Sequence, residues 1–439
     1  MLDLQGAFVM PGLVNTHARL GADPFRGMAP SSGDHPPLEA VHDEPSVIWS
    51  CFVDGIAAAR TGTTCVIDLH SSPRFVDDAV HRVREVLLTI GLRSVLAYEV
   101  GPSEDDEAVE TTRKMAAYGG TDQVRMAVGL ASPEFLDKQR LKEIAEIVAR
   151  YSSPVHVELG SAAGGGDTKR RRGSIMKMMQ DSGLLGPDTI LAVGPELAED
   201  DLAACAEAGA TLVHSPGSDV GKTTRSSPLA GFERNAALGT GRGVPDVLAE
   251  ARVLMRLSEA AGEPVGASRL LELLAGGHRL ATRIFGKPFG VFEPGAPADL
   301  VVLDYVPAVP LNDETVAHHL FHGIEARHIS SVMVQGRFVI RDGVFTNLDE
   351  PRLLAQTRRG ALDLWERWTG ETFPGYSPPA EEEKTIARES EESSEPDEGE
   401  NLPAPEEEEH EDATEGDAEE EEAGATRSGP DDPFGAGLF

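Results

Sequence analysis

The stretch "VMPGLVNTHARLG" (residues 9–21) decides the fold. An apolar run breaks at Pro-Gly, resumes, and ends on Thr-His-Ala-Arg. Side chains at positions i and i+2 of a strand point to the same side, so His17 and Arg19 are expected to face one cavity at the end of a buried strand. A pair of imidazoles in this arrangement would bind a metal ion. Arginine in place of the second imidazole is therefore the unusual feature of the stretch.

Seven further short apolar runs follow along the chain, most of them separated by segments with helical spacing such as "SVIWSCFVDGIAAARTG" and "RLKEIAEIVARYS". The runs are "TTCVIDLH" (63–70), "RSVLAYEV" (93–100), "VRMAVGLASP" (124–133), "SPVHVELG" (153–160), "TILAVGP" (189–195), "TLVHSPG" (211–217) and "AALGTGRG" (236–243). Apolar strands that alternate with helices indicate a parallel sheet. Eight such units over about 240 residues predict an α/β fold, a closed (β/α)8 TIM barrel. A doubly wound open sheet is the alternative, but no GxGxxG follows the first strand.

The pattern changes after residue 285, where strand-and-turn sequence replaces the alternation. The run "SSVMVQGRFVIRDGVFTN" reads as a hairpin that turns near Gln335 and Gly336. We predict a remnant of a β-sandwich half at 1–8, the barrel at 9–285, sandwich strands at 286–348, a C-terminal helix at 349–376 and a disordered tail at 377–439.

The formal charge of −35 is concentrated at the C-terminus. Residues 380–439 carry 24 acidic and 3 basic side chains, which is more than half of that charge, and almost no large apolar residues. Such a segment cannot bury enough surface to fold, which predicts an acidic, disordered tail. A body that is also acidic argues against nucleic acid as a partner.

Cysteine spacing and hydropathy bear on the compartment. Cys51, Cys65 and Cys205 form no CxxC pair, so they indicate neither a disulfide framework nor a thiolate metal site. The N-terminus carries no basic segment typical of secretion, and no apolar run is long enough to cross a membrane. We expect a cytoplasmic protein without a membrane partner.

Three motifs, "GAFVMPGLVNTH", "FEPGAPADLVVLD" and "VMVQGRFVIRDG", resemble the metal-dependent amidohydrolase superfamily over roughly residues 5–370. Within it, the sequence is most similar to the aminohydrolase branch of triazine hydrolases and cytosine–guanine deaminases, in particular SsnA-type aminohydrolases. The resemblance implies a (β/α)8 barrel and a small composite β-sandwich built from both chain ends. The family normally has further residues before this point, so the resemblance implies an N-terminally truncated sandwich. Its 290–346 strands would lack partners unless the chain starts further upstream or another chain completes the layer.

The resemblance also implies a zinc or iron site at the barrel mouth. Its ligands in the family are a His-x-His pair on strand 1, histidines on strands 5 and 6, and an aspartate on strand 8, with a glutamate that moves protons. Such ligands lower the pKa of a bound water.

This sequence departs from that set at most positions. His17 matches the first histidine and is the only family ligand retained. The other four ligand positions and the proton-carrying position hold different residues, in order along the chain Arg19, Glu158, Ser161, Val193 and Gly241. We therefore interpret the metal site as lost. Arg19 has no acceptor lone pair, and we expect it to form an ion pair with Glu158 where the ion would otherwise bind, because a buried carboxylate needs such a partner.

Other polar residues are expected near the mouth: His70 after strand 2, His214 near the end of strand 7, and Arg242 in the glycine-rich "GTGRGVP". His156 should also face inward, one layer deeper. The basic "KRRRG" (169–173) follows strand 5, where loops build the site. His318 and His322 have the i, i+4 spacing of a helical chelate but lie outside the barrel, which favours a solvated or packing role.

Two functional hypotheses follow from these residues. The first is a catalytically silent amidohydrolase-fold protein, or pseudoenzyme, that binds a small molecule at the barrel mouth or acts as a subunit of a complex, without a cofactor. The second is an active hydrolase of C–N bonds in a small cyclic or amide-like substrate, with a rebuilt site and one divalent metal, zinc or iron. The resemblance adds a homodimer as a further expectation.

Overall fold

The quoted stretch forms two strands, divided at Gly12. Strand β1 (Phe8–Pro11) pairs antiparallel with residues 300–303, and β2 (Leu13–Ala18) is the first strand of the barrel. A side chain at Gly12 would meet Thr64 within 2.2 Å, so the chain passes between the two sheets only with glycine there. The division thus falls later than the predicted boundary between residues 8 and 9. The sequence did not reveal it, because β1 is as apolar as β2.

The computed structural model describes residues 4, 6–22, 25, 38–102, 106–159, 168–192, 199–219 and 235–370, which all belong to one compact unit, Met1–Ser377. Neighbouring barrel strands pair in parallel in the order of the chain. After β2 they are β3 (Thr63–His70), β4 (Arg93–Val100), β5 (Val124–Met126) with β6 (Val128–Ala131), β7 (Val155–Glu158), β8 (Thr189–Ala192), β9 (Thr211–His214) and β10 (Ala236–Leu238). β5 and β6 together form the fourth barrel position.

The barrel closes between β10 and β2. Ala18 and Gly241 form a parallel bridge, and the backbone N–H of Thr240 donates to the carbonyl of His17 at 2.8 Å. The Asn15 side chain adds a hydrogen bond of 2.8 Å to the Thr240 hydroxyl. The predicted α/β barrel is confirmed, with a strand at each of the eight predicted positions.

Helices follow the strands and cover the barrel. They are α1 (Glu44–Arg60), α2 (Ala79–Ile90), α3 (Asp106–Tyr118), α4 (Lys138–Tyr151), α5 (Thr168–Ser182), α6 (Glu199–Ala208), α7 (Pro216–Asp219), α8 (Val247–Ala261), α9 (Ala267–Phe285), α10 (Val316–His318) and α11 (Glu350–Thr369). Short 3-10 turns lie at Leu38–Val41, Pro133–Phe135 and Ala326–His328, and a π-helical turn at His319–Gly323. Asp43, Asp137, Asp246 and Asp349 each accept the backbone N–H three residues on and so fix four helix starts.

The second sheet is antiparallel and has five strands in the order β1, β11 (Leu300–Leu303), β12 (Ile329–Val334), β13 (Arg337–Arg341) and β14 (Val344–Phe345). The predicted hairpin turns at Gln335 and Gly336, which both have positive φ, as a type I′ turn requires. β11 is paired on both sides, by β1 and β12, so the expectation that these strands lack partners is wrong for β11. The predicted tail at 377–439 lies outside the described residues.

A buried ion pair joins the sheet to the bottom of the barrel. Arg93 at the start of β4 lies 2.6 Å from Asp299, and both side chains are almost fully buried. The Asp299 carboxylate also accepts the backbone N–H of Gln335 at 2.7 Å. Arg93 in addition stacks over the rings of Phe285 and Phe289, so one guanidinium connects barrel, sheet and α9.

Candidate functional site

Arg19 lies at the C-terminal mouth of the barrel between two carboxylates. Its Nη2 is 2.5 Å from Glu99 Oε2 on β4, and its Nη1 is 3.2 Å from Glu158 Oε2 at the end of β7. The Arg19 side chain is 2% exposed, whereas Glu99 and Glu158 are 19% and 18% exposed. The predicted contact between Arg19 and Glu158 is confirmed, and Glu99 completes what we call the ion triad.

The backbone around Arg19 is held on two sides. The Arg19 N–H donates to the carbonyl of Gly241 at 2.9 Å. The next two N–H groups, of Leu20 and Gly21, donate to the buried carboxylates of Asp68 and Asp54, each at 2.8 Å. We call residues 19–21 the Arg19 turn. Because each of its three backbone N–H groups donates to a buried acceptor, the turn directs the Arg19 guanidinium into the mouth.

Two imidazoles lie beneath the ion triad. His17 Nδ1 and His156 Nε2 are 2.9 Å apart, and their rings meet edge to face at 81°. Burial lowers the pKa of His156 well below its ordinary value, and the nearby His17 and Arg19 act in the same direction. His156 is therefore neutral, and the pair shares one hydrogen bond. The predicted inward direction of His156 is confirmed.

His70 lies at the end of β3, beside Asp68 and Ser72. Its Nε2 is 3.1 Å from the Ser72 hydroxyl, and its Nδ1 is 3.9 Å from Asp68 Oδ2. Burial lowers the pKa of His70 to about 3, with His42 and Arg19 adding to the effect, so the ring is neutral. His70 thus belongs to a second polar group beside the Arg19 turn.

The end of β10 is shaped by small residues. Gly241 has φ of +55°, and a Cβ there would lie 2.4 Å from the Ser218 hydroxyl oxygen. The backbone N–H of Arg242 donates to that same oxygen at 3.0 Å. His214 is buried at the end of the neighbouring strand β9. Gly241 therefore has no room for a side chain unless Ser218 moves.

Three predictions fall outside what the structure describes: Ser161, Val193 and the side chains of the basic segment 169–173. Of the other predicted mouth residues, the structure brings together His17, Arg19, Glu158 and Gly241. Sequence reasoning missed Glu99 and Asp68. A signal exists for both, because each is an acidic residue near the C-terminal end of an otherwise apolar strand, "SVLAYEV" and "TTCVIDLH".

Comparison with known proteins assigns the family. The model of the amidohydrolase family matches residues 8–339, and the chain belongs to this family. Among curated relatives, the chain is 26% identical to 5'-deoxyadenosine deaminase of Methanopyrus kandleri over 387 residues, covering 81% of this chain and 86% of the relative. It is also 26% identical to 5-methylthioadenosine/S-adenosylhomocysteine deaminase of Lawsonia intracellularis, covering 82% and 85%.

Solved structures support the same fold. An adenosine deaminase from Xanthomonas campestris with bound zinc superimposes with a TM-score of 0.69 at 23% identity, covering 82% of this chain and 86% of that one. An atrazine chlorohydrolase mutant from Arthrobacter aurescens, complexed with zinc and atraton, gives 0.68 at 19% identity, covering 82% and 89%. At these identities the likeness establishes the barrel architecture. Among the described residues, no helix has the length and apolar character needed to cross a membrane.

Proposed function

We propose that the barrel mouth binds a small polar molecule without a catalytic metal, and that the ion triad takes the place of the ion. The observation that carries this proposal is the position of Arg19, buried between Glu99 and Glu158. A guanidinium has five donors and no lone pair, so it cannot ligate a metal. Its fixed positive charge repels a dication in a low-dielectric cleft.

The residues around the triad support this proposal. A zinc that activates water needs three protein ligands and an open position. Glu158 is engaged by Arg19, His17 shares a hydrogen bond with His156, and Gly241 has no side chain. The donors that the described residues place at this mouth therefore do not fit a zinc or iron ion.

An active hydrolase or deaminase of C–N bonds with a rebuilt site is the second candidate. Its support is the relatives, whose names are those of deaminases and which match over four-fifths of this chain. The relatives support this candidate better than the first. In that case the substrate is a purine nucleoside that bears an amine, and one divalent metal is expected per chain.

One experiment separates the two candidates. The purified full chain is prepared from metal-rich medium, its zinc, iron and manganese contents are measured, and it is incubated with 5'-deoxyadenosine and 5-methylthioadenosine. The first proposal predicts much less than one metal per chain and no ammonia release. About one tightly held metal per chain together with ammonia release would establish the second candidate instead. Isothermal titration with the same compounds reports binding that is independent of turnover.

A matched pair of variants gives the binding test its control. Glu158→Gln removes the charge of one triad carboxylate and should weaken binding of any ligand held at the mouth. Asp181→Asn alters an exposed pair with Lys177 on α5 and should leave binding unchanged. Equal effects of the two substitutions would place the ligand elsewhere.

A further inference from the structure

Two buried polar atoms face each other beside the Arg19 turn. Asp68 Oδ2 and His70 Nδ1 are 3.9 Å apart, and the two side chains are 0% and 4% exposed. Neither atom has a hydrogen-bond partner among the described residues. Buried polar groups are nearly always paired, so two such atoms directed at each other require an explanation.

The hydrogen bonds of Ser72 fix the tautomer of His70. The Ser72 hydroxyl has one proton and donates it to the carbonyl of Phe75 at 2.6 Å. Ser72 Oγ therefore accepts from His70 Nε2–H at 3.1 Å. Because the ring is neutral, its proton is on Nε2 and its Nδ1 carries a lone pair. His70 thus presents an acceptor to Asp68.

Asp68 uses one oxygen and leaves the other for His70. Its Oδ1 accepts the backbone N–H of Leu20 at 2.8 Å, whereas an ionised Oδ2 would face the His70 lone pair with lone pairs of its own. A protonated Oδ2 would instead be a donor to that lone pair. The separation exceeds a hydrogen bond, and an approach of about 1 Å closes it.

We propose that Asp68 and His70 form a buried proton-binding site next to the Arg19 turn, in which a neutral Asp68 carboxyl donates toward His70 Nδ1. This site is separate from the family's metal ligands and does not depend on what the mouth binds.

The surroundings favour the neutral acid. The titratable and charged groups that face Asp68 or His70 come from the Arg19 turn, α1, the segment before α1, β4 and β7. Besides Asp68 and His70 on β3, they are Arg19, His42, Cys51, Asp54, Tyr98 and His156. Burial raises the pKa of Asp68 to about 7, opposed by the Leu20 N–H and by Arg19 and assisted by Asp54. A hydrogen bond with the Leu20 backbone acts to raise the pKa of His70, but the effect of burial, which lowers this pKa, is larger.

The position of the site gives it a consequence at the mouth. Asp68 holds the N–H of Leu20, the residue directly after Arg19. When Asp68 loses its proton, its new negative charge attracts Arg19 and strengthens the bond to Leu20. Proton release near neutral pH therefore acts on the residue that organises the ion triad.

Infrared difference spectroscopy of the full chain tests the proposal. At pH 6, where ordinary carboxyls are ionised, a carbonyl band of a protonated carboxylic acid should be present in the wild type and absent from Asp68→Asn. Asp54→Asn is the matched control, because it changes the other buried carboxylate bound to the same turn, and it should retain the band. Absence of the band from the wild type, or its persistence in Asp68→Asn, would overturn the proposal.

Chemical unfolding gives a second readout. A folded-state pKa raised above the unfolded value means that the contribution of Asp68 is fully present below the unfolded pKa and is lost as pH rises through about 7. Asparagine mimics the neutral acid by accepting from Leu20 and donating to His70. The stability of the wild type relative to Asp68→Asn should therefore fall between pH 4 and pH 8. A difference that stays constant or rises over this range would contradict the proposal.

Discussion

Arg19 and Glu158 are joined by an ion pair of 3.2 Å at the barrel mouth. Glu99 pairs with the same guanidinium from β4. A buried charge needs compensation, and here two partly exposed carboxylates supply it. Stability and binding at the mouth should therefore depend on this ion triad.

Removing both carboxylates should destabilise the protein strongly. In the double variant Glu99→Gln/Glu158→Gln, Arg19 stays buried without a charged partner, which we expect to lower the free energy of unfolding by about 3–5 kcal/mol. Urea unfolding followed by circular dichroism measures this loss. Asp181→Asn on α5, in an exposed pair, should lower it by less than about 0.5 kcal/mol. A double variant as stable as this control would mean that the triad contributes no net stabilisation.

Gly241 should not tolerate a side chain. Gly241→Ala and Gly262→Ala both place alanine at positive φ, but only the first meets another residue, since Gly262 has nothing within 4 Å of its added Cβ. We expect Gly241→Ala to lower the unfolding free energy by about 1–3 kcal/mol more than Gly262→Ala, because of the contact with Ser218. Equal losses would show that this strand end has room for a Cβ.

The buried pair of Arg93 and Asp299 should stabilise the junction between barrel and sheet. Asp299→Asn leaves Arg93 without its charged partner and should lower the unfolding free energy by about 3 kcal/mol. Glu350→Gln disrupts the pair with the more exposed Arg60 and should cost about 1 kcal/mol or less. A larger effect at Glu350 than at Asp299 would refute this ranking.

The pH dependence of stability should carry the contribution of Asp68. A folded pKa of about 7 against an ordinary value of 3.8 corresponds to about 4 kcal/mol. The folded form binds the proton more tightly, so this amount is lost from the wild type as pH rises from about 4 to above 7. Asp68→Asn should lack this decrease in urea titrations across the range.

The barrel could be predicted from local sequence patterns, and the Arg19–Glu158 pair from the family resemblance together with those patterns. Each barrel strand is a continuous apolar run, and i, i+2 spacing directs His17 and Arg19 to one side. The pairing of Arg19 with Glu158 came from the family resemblance, which implies that these positions on the first and fifth strands approach one ion.

The contacts of Glu99 and Asp68 could not be predicted in the same way. Glu99 is inward-facing on a strand for which the family pattern assigns no ligand, and its partner is fixed only when the barrel closes. The bond from Leu20 to Asp68 depends on the path of the turn after β2, which strand periodicity does not specify. The passage of the chain between the two sheets at Gly12 could not be predicted either, since apolar residues continue on both sides of it.

The most direct test of the central claim is anomalous scattering at the zinc edge from crystals of the full chain grown with excess zinc. We predict no peak beside the His17 ring, with Arg19 remaining between Glu99 and Glu158. A peak at the exposed pair His318 and His322 would have no bearing on this claim. A zinc peak within bonding distance of His17 and Glu158, with Arg19 displaced, would contradict it.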